Sequence, residues 1–156
     1  MTIEATAALG TILAVGDSAS PEVFTKIGRV KDVDGPSMSR DTIDTTHQLS
    51  PGGVKEFLAS LADGGDVSFT VGYNPSAATH DQTTGLLKFM GETTTRNWKL
   101  VFPVAATSGF WGLEFKGVVT KFAPKAPVAG ELTADITIKV AGNVVQADID
   151  ISDICS

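Results

Sequence analysis

Residues 63–103 read DGGDVSFTVGYNPSAATHDQTTGLLKFMGETTTRNWKLVFP, and their periodicity decides the fold. In DVSFTVGY, Val67, Phe69, Val71 and Tyr73 share one face while Ser68, Thr70 and Gly72 share the other, the two-residue alternation of a half-buried strand. NWKLVF repeats the pattern with Trp98, Leu100 and Phe102. Between them the period changes. Thr79 and Gln82 have the spacing of a capping box, Thr83, Leu86, Leu87 and Met90 form one apolar stripe, and Gly91 stands where a left-handed cap is expected. The stretch predicts strand, helix (about 79–91), strand. A helix this short is marginal alone, so its stripe must pack on a sheet.

Working outward, ELTADITIKV places Leu132, Ala134, Ile136, Ile138 and Val140 opposite Thr133, Asp135, Thr137 and Lys139. FWGLEFKGVVTKF starts with Trp111, Leu113 and Phe115 on one face and shifts to Val118, Thr120 and Phe122, which predicts a β-bulge at Gly117. Weaker strands are expected at 11–15, 24–33, 41–48 and 144–151. The fold class is mostly β: an antiparallel sandwich or small barrel flanked by one short α-helix, with a long inter-subunit loop. The expected core includes Phe69, Val71, Leu86, Leu87, Trp98, Leu100, Ile136 and Ile138.

The 156 residues suit a single domain, 1–156, with an N-terminal arm over about 1–10, an extended arm over about 34–65 and a C-terminal arm over about 143–156. The 34–65 arm is long for a connection inside a compact domain. Gly35, Pro36, Pro51, Gly52 and Gly53 punctuate it, and its apolar residues cluster at Val54, Phe57, Leu58 and Leu61. A strand is expected around DTIDTTHQ, and VKEFLASL is expected to form a helical turn or an apolar anchor. Leaving that cluster in water is costly, so the segment reads as an arm that reaches a partner subunit. Ordering about 30 residues costs on the order of 30 kcal/mol in backbone entropy, which favours an arm mobile in the free subunit and ordered by a neighbour.

Charge and composition exclude several functions. A net charge of -6 with 12 scattered basic residues argues against a nucleic-acid-binding face. Charged residues make up 19% of the chain, less than the usual quarter, which leaves a neutral surface suited to wide contacts. No apolar run reaches the roughly 18 residues of a membrane helix, the N-terminus has Glu4 where a signal peptide would be basic, and Cys155 has no partner for a disulfide. A soluble protein of a reducing cytoplasm is expected.

No catalytic, cofactor or metal constellation emerges. His47 and His80 lack a second ligand at metal-binding spacing and read as ordinary polar residues, so His80→Ala is expected to leave assembly unchanged. DVDG at 32–35 reads as a turn, because position twelve of a calcium loop would be Ile43. Asp148, Asp150 and Asp153 alternate with Ile149 and Ile151 as the solvated face of a strand. Nucleotide-binding and nucleophile-elbow motifs are lacking, so the protein is not expected to be an enzyme.

The order DGGDVSFTVGYNP, the Thr79-His80 helix ending LLKFMGETT, TRNWKLVFP and FKGVVTKFAPKAPVAGELTADITIKVAGNV resembles the major tail tube protein of lambda-like, long non-contractile-tailed bacteriophages, over most of residues 20–143. SPGGVKEFLASLADGG resembles the segment before the first of these strands in that family. The resemblance implies a virion protein, assembled in the host cytoplasm into stacked hexameric rings through which DNA is ejected without specific binding. It implies as partners the protein itself, a tape measure protein in the lumen, tail tip or baseplate and tail terminator proteins, with no cofactor and no membrane. With the sequence stopping at Ser156, the appended immunoglobulin-like C-terminal domain known from some members is not expected. Contacts between rings are expected at Arg40, Asp41, Val54, Phe57, Leu58 and Leu61, and the lumen is expected to be net acidic. The alternatives are a capsid decoration or immunoglobulin-like adhesion module, or a tube protein of a contractile tail or secretion-like machine.

Overall fold

The computed structural model describes residues 6–155, with only the backbone of Cys155; residues 1–5 of the expected N-terminal arm lie outside the described residues. The chain runs β1 (Ile12–Gly16), β2 (Phe24–Lys26), β3 (Val30–Asp34), β4 (Ser39–Asp44), β5 (Phe57–Asp63), β6 (Asp66–Gly72), α1 (Leu86–Met90), β7 (Arg96–Ala105), β8 (Phe110–Lys125), β9 (Thr133–Val140), β10 (Val145–Ile149) and β11 (Ile154–Cys155). One sheet has the order β11-β2-β1-β7-β8-β9-β6-β3, with β10 beside β8; β4 and β5 form a separate ribbon. All pairs are antiparallel except β11 with β2.

The sixteen-residue β8 makes this sheet a sandwich. Its first half pairs with β7 and β10, and its second half, from Gly117 to Lys125, pairs with β9. The two leaves share one interior: Leu13, Trp98 and Phe115 from one meet Val67, Phe69 and Ile138 from the other. Gly117 sits where the strand passes between leaves. A Cβ there would come within 2.6 Å of Ile138 and 2.8 Å of the Lys139 carbonyl, so only glycine fits the crossing.

The bulge is not at Gly117. Phe115, Gly117 and Val119 are all buried, and the register shift falls between Val119 and Lys121. A glycine on the inward face has no side chain to mark it, so the alternation looked broken three residues too early. At the start of β8, Trp111 is exposed rather than packed in the core. In β9 the alternation is complete: Ala134, Ile136, Ile138 and Val140 are buried and the residues between them half-buried.

The helix is shorter than the expected 79–91 and differently capped. It spans five residues, its N-cap is Gly85 with no side-chain bond, and Gly91 has φ of -86°, outside the left-handed region. The preceding loop folds so tightly that a Cβ on Gly85 would lie 2.5 Å from the backbone of Thr79, His80 and Asp81. Thr79 Oγ1 accepts from the Gly28 N–H (3.3 Å) instead of capping, while Asp81 Oδ1 accepts from the N–H groups of Thr83 (3.2 Å) and Thr84 (2.8 Å). With the helix starting at Leu86, the inward pair is Leu86 and Phe89; Leu87 is half-buried, and Thr83 and Met90 are exposed. Phe89 meets Trp98 edge-on, with ring centroids 6.2 Å apart, so the helix closes one side of the interior. Of the other expected core residues, Phe69, Val71, Leu100, Ile136 and Ile138 are buried.

Candidate assembly surfaces

Among the described residues, the β4–β5 ribbon and its tip gather exposed apolar side chains at Ile43, Leu49, Val54, Phe57, Leu58 and Leu61. Every residue of β4 is exposed, as is all of β5 except the half-buried Ser60. VKEFLASL therefore forms neither a helical turn nor an anchor on the body of the subunit: Phe57–Asp63 is a strand paired with β4. The register places Ile43 opposite Leu58 and, on the other face, Asp44 opposite Phe57. An extra residue in β5 sets Ser60 and Leu61 together against Asp41. Apolar side chains thus emerge from both faces, with Leu58 59% and Leu61 89% exposed.

Hydrogen bonds give the ribbon's tip its shape. Thr45 N–H donates to the Glu56 carbonyl (2.9 Å), Glu56 N–H to Thr46 Oγ1 (2.8 Å) and Ser50 Oγ–H to the Glu56 carboxylate (2.7 Å). Asp44 accepts from the Thr46 N–H (2.9 Å), and bonding to Thr46 holds its carboxyl below the usual range. At the base, Asp63 accepts from Gly65 N–H (2.9 Å) and Lys139 Nζ (3.2 Å), which likewise lower it. Arg40 and Asp41 lie on β4 near this base, Val54 on the tip. The ribbon brings all six expected contact residues onto one projection, five of them from its two strands and Val54 from the connection between them.

The two histidines differ. His47 is exposed at the ribbon tip. His80 is fully buried, which corrects its reading as an ordinary polar residue. Its Nδ1 accepts from the Asn74 N–H (3.2 Å), and its Nε2–H donates to the Gly28 carbonyl (2.8 Å). These bonds fix the tautomer and staple the loop before α1 to the turn between β2 and β3. The only warning in the sequence was the company of Asn74, Pro75 and Thr79, which marks a turn rich in backbone groups needing partners.

Among the described residues, no group of three or more His, Cys, Asp or Glu side chains could hold a metal ion, and no helix is long and apolar enough to cross a membrane. Asp148 accepts from Ser108 N–H (2.8 Å) and Oγ–H (3.1 Å), and Asp150 caps a 3-10 turn through Ser152 N–H (2.9 Å). The three carboxylates are therefore not the solvated face of one strand: β10 ends at Ile149, Asp150 and Asp153 lie at a 3-10 turn, and Asp148 holds the β7–β8 turn with one oxygen while its Oδ1 is buried without a partner among the described residues. A groove of about 680 Å³ crosses the outer face of β7 and β8. Four of its polar groups engage one another: Lys99 lies 3.5 Å from Glu114 and 4.1 Å over the Phe24 ring, and Asn97 donates to Glu22 (2.7 Å). A small molecule entering would have to displace them.

A sandwich with a projecting ribbon of uncovered apolar side chains has the form of a structural subunit. Residues 10–147 match the family model for the lambda phage tail tube protein, and the chain belongs to that family. It is a structural protein of the virion tail. Its fold is shared with a chain of the virion of the native gene transfer agent particle (TM-score 0.69, 14% identity, covering 92% of this chain and 99% of that one). It is also shared with a chain of the tail of the empty gene transfer agent particle, of C6 symmetry (TM-score 0.65, 15% identity, covering 86% and 95%). No curated protein sequence matches the chain.

Proposed function

We propose that the subunit forms hexameric rings that stack into the tail tube, and that residues 34–65 are the arm joining one ring to the next. The observation that carries this reading is the β4–β5 ribbon, whose apolar residues on both faces find no cover within the subunit. A two-stranded ribbon is marginal by itself, so a neighbour has to supply the burial. Family membership and the C6 symmetry of one matched tail support the sixfold ring. The subunit acts by assembly rather than catalysis. The net charge of -6 suits a channel whose wall repels DNA phosphates and lets the genome pass without sticking. A tape measure protein in the lumen and tip and terminator proteins at the ends complete the set of partners.

Replacing residues 38–62 by a short Gly/Ser linker tests the arm. The variant is expected to keep the circular dichroism and melting temperature of the sandwich while negative-stain images show no tubes. Normal tubes from the variant, or wild-type protein that stays monomeric or trimeric at high concentration, as a capsid decoration module would, count against the proposal.

A further inference from the structure

The ribbon leaves the sandwich at a root made of two backbone legs. The β3–β6 ladder ends at Asp34 opposite Ser68 and the β4–β5 ladder begins at Ser39 opposite Asp63, so residues 35–38 form one leg and 64–67 the other. The legs are in direct contact. Gly35 (φ +104°) and Gly65 (φ +70°) both take the left-handed region, and a Cβ on Gly35 would overlap the Asp66 carbonyl while one on Gly65 would overlap the Ser37 carbonyl. Ser37 N–H donates to the Asp66 carbonyl (3.2 Å), and Val140 N–H of β9 donates to the Gly65 carbonyl (3.0 Å). One leg is therefore fastened to β9, and the other is pressed onto it. Lys139, next to Val140, completes the root: its Nζ donates to Asp63 (3.2 Å), the last residue of β5, and lies 3.6 Å from Asp66, the first of β6. Among the described residues, no other side chain of the ribbon bonds to a strand of the sandwich.

We propose that this root is a fixed mount that sets the direction in which the ribbon projects, and that Lys139 is its positioning residue for assembly although it lies outside the ribbon. The inference rests on the reading of the ribbon as the joint between rings and adds what aims it. An arm on a slack tether samples many directions, of which a regular tube uses one, and each unused direction lowers the effective affinity for the next ring. The contact between Gly35 and Gly65 and the opposite legs removes that slack. Lys139 acts through charge. Asp63 belongs to the ribbon and Asp66 to the sandwich, and without the ammonium they share, two carboxylates would repel across the root and drive it open. The ion pair is exposed, so it adds little to the stability of the subunit, and its effect falls on geometry.

Pulsed spin-label distances in the dilute full chain test the mount. With Cys155→Ser to remove the native thiol, nitroxides on Thr42→Cys in the ribbon and Lys116→Cys in the sandwich, both exposed positions, report the ribbon's direction. One narrow distance distribution is expected. Lys139→Gln should broaden it at an unchanged melting temperature, and Gly65→Ala, which forces the legs apart, should shift it. In unlabelled protein, Lys139→Gln should raise the concentration needed for tubes in negative stain by about tenfold, as when the correctly aimed fraction falls to about one-tenth. Lys139→Arg should restore both the distribution and the tubes. A broad distribution in the parent, an unchanged one in Lys139→Gln whether or not tubes are lost, or broadening that comes only with a lowered melting temperature overturns the mount. If Lys139→Gln broadens the distribution and tubes form as readily as before, the mount stands and the reading of the ribbon as the joint between rings fails.

Discussion

The β4–β5 ribbon and the β6–β9 pair are both antiparallel ladders, yet they contribute to the subunit in opposite ways. In β6 and β9 every second residue is buried, and Val67, Phe69, Ile136 and Ile138 interleave in the shared interior. Burying an Ile or Phe side chain stabilises by about 1.5–3 kcal/mol, so these few residues supply a large part of a marginal total. In β4 and β5 the ladder is present but Ile43, Phe57, Leu58 and Leu61 are exposed. Backbone pairing shapes a strand; burial of its side chains determines where stability resides. The sandwich buries its own apolar side chains, whereas the ribbon leaves its own uncovered within the subunit.

The widest break of this comparison is expected at Trp98. It is buried at the junction of the leaves, edge-on to Phe89, with its Nε1–H donating to the Gly117 carbonyl (3.3 Å). Trp98→Ala should cost about 3–5 kcal/mol and leave little soluble protein. Denaturant melts would show it. Wild-type stability in that variant would mean that the interior is not where the fold's stability lies.

A middle-sized effect is expected at His80, inside the body but outside the sheet. His80→Ala removes the partners of two backbone groups, Asn74 N–H and Gly28 C=O, and should cost about 1–3 kcal/mol. His47→Ala, at the exposed tip, should fall within about 0.5 kcal/mol of wild type by the same melts. Equal losses would show that the buried staple is not what holds the loop to the body.

These cases also mark what the sequence made legible. The faces of β6 and β9 were plain because both strands have one wet and one dry side throughout. The crossing at Gly117 and the bulge at Thr120 were confounded, because a buried glycine and an inserted residue disturb alternation in similar ways. The helix was over-read because Thr79, Gln82 and Gly91 have capping spacing, yet Thr79 is claimed by Gly28, 51 residues away in sequence. His80 was misread for the same reason: its partner Gly28 is brought near only by the fold. The apolar cluster of the 34–65 segment was visible, but not its strand, since FLASLAD has no two-sided pattern without a body to pack on.

The smallest change in stability, and the sharpest form of the comparison, is expected on the ribbon. Phe57 is 57% exposed and Leu61 is 89% exposed, so little is lost within the subunit when their apolar surface is removed. Phe57→Ser with Leu61→Ser should shift unfolding by no more than about 0.5 kcal/mol, the range of ordinary surface substitutions. Serine tolerates strand geometry, and the Asp44–Phe57 pairing uses backbone groups that the substitution leaves in place. Assembly should respond differently, because the same side chains are the ones proposed to be covered by the next ring, where each buried aromatic or leucine adds about 1.5–3 kcal/mol to the contact. The variant is therefore expected to melt like wild type and to fail in tube formation by negative stain. Loss of monomer stability would place these residues in the body's own core; intact tubes would remove the ribbon from the interface between rings.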